Sequence, residues 1–110
     1  MSKEYIINNY DQARAERHRR ALEEVEIIGL PQRELSGFIS TITANTRHHW
    51  QQVKNGELVG CDCSDWKYRC LPAYQEAGEK VPCKHLAKIK EETGVKIDWK
   101  NSKVLEEQKI

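Results

Sequence analysis

The first pattern along the chain is a set of hydrophobic positions at helical spacing. These apolar residues recur about three or four positions apart, and they are Tyr10, Ala13, Ala21, Leu22, Val25 and Ile28. Asn9 with Gln12 resembles a capping box, and Gly29 followed by Pro31 is typical of a helix stop. The pattern predicts an N-terminal amphipathic helix from about Asn9 to Ile28, with one face packed on the rest of the protein.

The middle of the chain has the pattern of a small antiparallel sheet. Residues 38–43 read Phe-Ile-Ser-Thr-Ile-Thr, and such β-branched and aromatic content favours a strand. Two further segments, 50–54 and 57–62, flank Asn55-Gly56, a strong signal for a two-residue hairpin. We therefore expect a three-stranded antiparallel meander.

Helical signals return in the second half. A short helix is expected near Pro72 to Ala77, and a longer one follows Pro82 and stops at Gly94. Residues 95–99 are expected to be extended, and Ser102 is expected to cap a terminal helix whose first turn gains from Glu106. The predicted class is α+β, divided into an N-terminal helix and connection at 1–37, a central module at 38–94 and a C-terminal extension at 95–110.

Composition limits the size of the hydrophobic core. The chain has 110 residues, of which 38% are hydrophobic and 32% charged, with a net charge of +1. Such a length fits one compact domain with a modest core. A bound metal would therefore add materially to its stability.

Two pairs of metal-type ligands carry the strongest chemical signal. Cys61-x-Cys63 is separated by nineteen residues from Cys83-x-His85. Side chains two positions apart share a face on a strand, so the first pair can converge on one ion beside the hairpin. On a helix they diverge by about 200°, so the second pair fits only where the chain enters a helix. The partial positive charge at that helix end favours the thiolate of Cys83.

These motifs resemble the SWIM-type zinc finger, whose pattern is Cys-x-Cys, a variable gap and then Cys-x-His. The matching stretch runs from about Phe38 to Thr93 and includes Cys61-Asp62-Cys63 and Cys83-Lys84-His85. The resemblance implies a short sheet carrying the first pair, packed on a helix that carries the second. It also implies one structural Zn²⁺ and an association with DNA binding or protein interaction. Cys70 departs from the pattern as an extra thiol within the gap.

Other interpretations of the cysteines stay open. Four cysteines in a small domain also occur as disulfide frameworks in secreted proteins, or as buried small hydrophobes. No apolar signal segment follows Met1 and no run approaches a membrane span, so we expect an intracellular protein, cytoplasmic or nuclear, with reduced thiols. A redox sensor would require Cys70 to be an exposed thiol of low pKa. A nucleophile built from Cys83 and His85 is a further alternative.

Charge is distributed unevenly along the chain. The first helix carries an arginine run, and residues 80–103 hold seven lysines against three acids. Either surface is suited to phosphate contacts, although i,i+4 pairs along the helix also fit a solvated face. The residues predicted to contact DNA are Arg14, Arg17, Arg20, Lys84 and Lys88.

The remaining candidate residues have structural explanations as well as functional ones. His48 and His49 point to opposite faces of the second strand, so one of them can approach the metal or remain a strand histidine without a role. The aromatic residues of the gap, Trp66, Tyr68 and Tyr74, fit either a recognition surface or a cover for the core. Both interpretations can be checked against burial.

The sequence predicts a binding module and no enzyme. Four protein ligands would close the zinc coordination sphere, whereas catalytic zinc keeps an open position. The chain also lacks a phosphate-binding glycine loop and a serine nucleophile motif. We expect DNA as the partner, or alternatively a protein partner bound by an adaptor, with no membrane and no small-molecule substrate.

Overall fold

A computed structural model of the chain describes residues 7, 9–29, 36–43 and 47–105. Its helices are α1 (Tyr10–Glu24), α2 (Leu71–Ala77) and α3 (Lys84–Thr93). A π-helical turn, Trp66–Cys70, runs directly into α2. The strands are β1 (Val25–Gly29), β2 (Ser36–Thr43), β3 (Arg47–Lys54), β4 (Glu57–Cys61) and β5 (Lys103–Val104).

The first helix starts where the sequence predicts and ends earlier. Asn9 is its N-cap, and the Asn9 side chain accepts a hydrogen bond from the Gln12 N–H at 3.0 Å. The helix ends at Glu24, so the predicted continuation to Ile28 is wrong. Val25–Gly29 instead pairs with β2, because β-branched residues fit a pleated strand and gain ladder hydrogen bonds there. Exposed Ile28 therefore lies on a strand and not on the helix face.

The sheet contains five strands in the order β1-β2-β3-β4-β5. The predicted meander is present, since β2, β3 and β4 pair antiparallel in sequence order. The predicted number of three strands is wrong because β1 extends one edge and β5 pairs parallel with β4 at the other. Strands from the predicted N-terminal and C-terminal segments thus belong to the same sheet as the central module.

The predicted hairpin has the expected turn. Asn55 and Gly56 take φ values of 53° and 80°, the left-handed pair that a type I′ turn requires. Glycine reaches that region without a steric penalty, and asparagine does so more easily than most residues. The turn sets the pairing of Lys54 with Glu57, and β4 then leads to Cys61.

Helices cover one face of the sheet. Ile39 and Thr41 are buried on β2, while Phe38 between the turn and Ile39 is 45% exposed, as strand alternation requires. The core joins sheet residues such as Leu58 to Leu86 and other residues of α3. Because α3 contacts β1, β3 and β4, it is the main helical layer, and α1 packs along it.

The segment after α3 runs back beside β4. Ile97 forms an isolated parallel bridge with Leu58, so the expected extended segment is present in part. The terminal helix expected after Ser102 is wrong at its start, because Lys103 and Val104 form β5, and Glu106 lies outside the described residues. The Ser102 hydroxyl donates to the Trp99 carbonyl at 2.6 Å and caps no helix. Within the described ranges, no helix has the length and apolar character needed to cross a membrane.

Candidate metal centre

Four predicted ligands meet at one buried point. One donor atom from each of Cys61, Cys63, Cys83 and His85 lies within 4.8 Å of the others. All four residues are buried, and the cysteines are free thiols with no disulfide. The disulfide interpretation of the described cysteines is therefore wrong.

The first pair is delivered by the end of a strand and the turn beyond it. Cys61 is the last residue of β4, whereas Cys63 lies past the strand. The expectation that the strand carries both is thus only half right. The Asp62 carboxylate accepts a hydrogen bond from the Trp50 N–H at 3.2 Å, so the ladder ends there. The turn then places Cys63 Sγ 3.4 Å from the Trp66 N–H, which donates to it.

The second pair lies at a helix entry, as predicted. Cys83 is the N-cap of α3 with extended backbone, and His85 is in the first turn. The Ala87 N–H donates to the Cys83 carbonyl at 2.9 Å, which closes that first turn. The change from extended to helical backbone at Cys83 lets both side chains reach one point.

The cluster fits a tetrahedral zinc ion. Zn–S and Zn–N bonds of about 2.3 and 2.0 Å imply ligand separations of about 3.8 Å between sulfurs and about 3.6 Å between sulfur and nitrogen. His85 Nδ1 lies 3.8 Å from Cys61 Sγ, close to that value. Three sulfurs and one imidazole are a soft donor set that zinc prefers in closed structural sites.

The thiols of the cluster differ in their electrostatic environment. Burial raises the pKa of Cys61 and of Cys83 well above the ordinary thiol value. The pKa of Cys63 is lowered, first by hydrogen bonding from Cys61 and then from Cys83. A negative charge shared in this way needs a cation at the centre of the cluster, which is what a metal ion supplies.

Cys70 lies outside the cluster. Its side chain is fully buried, and its Sγ donates to Asp65 Oδ2 at 3.3 Å. Burial, followed by the Asp65 charge, raises the pKa of Cys70 far above the ordinary thiol value. The redox-sensor interpretation required an exposed thiol of low pKa, so it is wrong for Cys70.

The five cations predicted to contact DNA all have carboxylate partners. Arg14 pairs with Asp11 and Glu79, while Arg20 and Lys84 share Glu24. Lys88 pairs with Glu92 at 2.7 Å, and Arg17 binds both oxygens of Asp65. The predicted DNA surface is thus occupied by intramolecular ion pairs.

Glu24 illustrates how firmly two of these cations are paired. Hydrogen bonds from Arg20 and then Lys84 lower the pKa of Glu24 to about 2. The side chain is therefore a carboxylate at neutral pH and links α1 to the first turn of α3. Because Lys84 stands between the ligands Cys83 and His85, this ion pair helps to position the helix entry.

The aromatic residues of the gap mainly cover the core. Trp66 is fully buried and its Nε1–H donates to the Lys103 carbonyl at 2.8 Å. Trp99 lies against Trp66 and Tyr74, with ring centroids 5.5 and 5.4 Å apart. Tyr68 is 42% exposed and is the exception.

The two histidines on β3 behave differently. His48 is exposed, whereas the ring of His49 lies 4.4 Å from that of His85. His49 Nδ1 is also 2.9 Å from Asp62 Oδ1, the carboxylate between the first two ligands. One strand histidine therefore does approach the cluster, beside the ligands and not as one of them.

Sequence reasoning missed the polar residues that contact the cluster from the sheet. Thr43 and Gln51 hydrogen-bond to ligand side chains, yet neither belongs to a ligand motif. Strand alternation places Gln51 on the same face as Cys61, its register partner, and this is the one sequence signal that could have found it.

Comparison with protein-family models, curated protein sequences and solved structures gives no match. The fold and the Cys₃His cluster therefore carry the functional argument by themselves. They define a small α+β protein with a cluster compatible with one structural zinc ion.

Proposed function

We propose that this protein is a zinc-binding module of the SWIM type, in which the metal is structural. The observation that carries the proposal is the convergence of four buried donors from β4, the following turn and the start of α3. The order Cys-x-Cys, gap, Cys-x-His and the placement of the second pair at a helix entry both agree with the resemblance. The zinc would connect the sheet to its main covering helix.

The proposed role is non-catalytic. Three thiolates and one imidazole fill a tetrahedral coordination sphere, so no position remains for water or substrate. Cys83 is equally unsuited to act as a nucleophile, because burial raises its pKa and therefore favours the thiol. The metal supplies folding free energy, and function lies on the surfaces that it holds in place.

Metal stoichiometry tests the proposal directly. We expect one zinc per chain by elemental analysis, lost in Cys61→Ser and in His85→Ala. Cys70→Ser is the matched control, since its thiol is buried but outside the cluster. Retention of zinc by His85→Ala with loss in Cys70→Ser would show that the ligand assignment is wrong.

For the partner, we propose contact with nucleic acid through lysines of the second half. Five exposed lysines have no carboxylate within 4.0 Å among the described residues, namely Lys80, Lys90, Lys96, Lys100 and Lys103. Lys80 and Lys90 lie with Arg14 around an open groove of about 400 Å³. Such cations can contact phosphates without first breaking an ion pair, in contrast to Arg17.

Salt-dependent binding tests this second proposal. Duplex DNA should bind at low ionic strength, and Lys80→Ala/Lys90→Ala should lower the slope of log K against log salt by up to about 1.8. Lys54→Ala, an exposed lysine beside the hairpin turn, is the control. Absence of binding at low salt would remove the nucleic-acid role and favour the protein-interaction adaptor instead.

A further inference from the structure

The sheet provides a chain of polar contacts to the ligand cluster. Gln51 and Thr41 are both fully buried, on neighbouring strands. The Thr41 hydroxyl donates to Gln51 Oε1 at 3.1 Å, and Gln51 Nε2 donates to Cys61 Sγ at 3.3 Å. A buried amide is costly unless it is hydrogen-bonded, and here both ends of the Gln51 amide have a partner.

The orientation of the Gln51 amide follows from charge. A thiolate at Cys61 would face oxygen lone pairs if the amide were flipped, which is unfavourable at 3.3 Å. With Nε2 toward sulfur, the amide instead donates a hydrogen bond to a negatively charged acceptor, which is stronger than a neutral one. Thr41 stabilises this orientation by donating to the opposite end.

A second contact orients the histidine. His85 Nε2 lies 2.8 Å from Thr43 Oγ1, and Nδ1 faces the cysteine cluster. When Nδ1 holds the metal, Nε2 carries the proton and donates it to the Thr43 hydroxyl oxygen. A hydrogen bond at the distal nitrogen fixes the tautomer and ring orientation of a metal-bound histidine.

We propose that Gln51 and Thr43 are positioning residues that tune the metal centre through Cys61 and His85. Gln51 places a donor on one thiolate of a centre whose net charge would be −1, and Thr43 selects the Nδ1-binding tautomer of His85. This inference rests on the proposed zinc site. It assigns to β2 and β3 a role in metal affinity that the ligand motif does not contain.

Cobalt(II) substitution and zinc competition test the role of Gln51. Gln51→Leu keeps a side chain of similar size and removes the donor, so zinc affinity should fall roughly 10- to 100-fold. The cobalt–thiolate charge-transfer band should move to longer wavelength, because the hydrogen bond stabilises the sulfur lone pairs. Gln52→Leu is the matched control, since the neighbouring side chain points to the other face of β3.

Two threonine variants test the histidine contact. Thr43→Val is nearly isosteric and should lower zinc affinity by a similar factor, whereas Thr43→Ser keeps the acceptor and should restore most of it. A merely structural role would lower thermal stability in both Gln51→Leu and Thr43→Val without moving the cobalt band or being rescued by serine.

The outcomes separate the two proposals. If the unmodified chain binds neither cobalt nor zinc, both the zinc site and this inference are wrong. If it binds one equivalent while Gln51→Leu and Thr43→Val match it in affinity and spectrum, the zinc site stands and the positioning role is overturned. A red-shifted band in Gln51→Leu, with Gln52→Leu unchanged, supports it.

Discussion

Arg17 of α1 binds both carboxylate oxygens of Asp65, with Nε 2.8 Å from Oδ2 and Nη2 2.7 Å from Oδ1. Asp65 directly precedes the π-helical turn, two residues after the ligand Cys63. The pair therefore ties the N-terminal helix to the turn that carries a metal ligand. Desolvation opposes its charge, yet the Asp65 contacts raise the pKa of Arg17 overall, so the guanidinium stays ionised.

Breaking this pair should destabilise the fold. The Arg17 side chain is only 11% exposed, so Arg17→Ala leaves Asp65 without its main partner and should cost about 1–3 kcal/mol. Urea denaturation of the zinc-bound chain would measure it. Arg19→Ala, whose ion pair with Glu23 is exposed, is the control and should cost less than about 0.5 kcal/mol.

Equal effects of the two arginine substitutions would contradict a structural role for Arg17. This result also matters for the nucleic-acid proposal. Loss of DNA binding in Arg17→Ala is informative only if the variant remains folded at the assay temperature.

Removing zinc should lower thermal stability strongly. A ligand present at about 1,000 times its Kd stabilises the native state by about 4 kcal/mol, which corresponds to roughly 16 °C in Tm for a domain near this size. Calorimetry with a chelator and with excess zinc would measure the difference. Cys61→Ser should melt at the chelated value whether or not zinc is added, and an unchanged Tm in the chelated wild type would contradict a structural metal.

Gly60 should be required for the docking of β5. A Cβ at this position would overlap the backbone carbonyl of Lys103, which cannot move as a flexible side chain would. Gly60→Ala should therefore separate β5 from β4 and cost about 1–3 kcal/mol. Faster hydrogen exchange at the Leu105 N–H, which donates to the Cys61 carbonyl at 3.1 Å, would report the separation.

Another strand glycine offers a matched comparison. A Cβ on Gly29 would meet Ser40 Cβ at 3.4 Å, an ordinary contact, so Gly29→Ala should change stability by less than about 0.5 kcal/mol. Normal exchange at Leu105 in Gly60→Ala would show that β5 tolerates the added carbon.

The sequence by itself determined the elements whose signals are local. The Asn55-Gly56 turn, the Asn9 cap and the entry of α3 at Cys83 depend on backbone preferences of neighbouring residues. Ligand spacing belongs to the same category, because reach along a strand or into a helix is fixed by backbone geometry. The predicted cluster was therefore correct in all four residues.

Tertiary structure decided what depends on distant partners. Val25–Gly29 left the predicted helix because β2 offers it a ladder, and residues 103–104 became a strand because β4 had a free edge. The same holds for charge, since the carboxylate bound by Arg17 lies 48 positions away in the sequence. A sequence reveals that a side chain is cationic, whereas only the fold decides whether its partner is a phosphate or a carboxylate of the same chain.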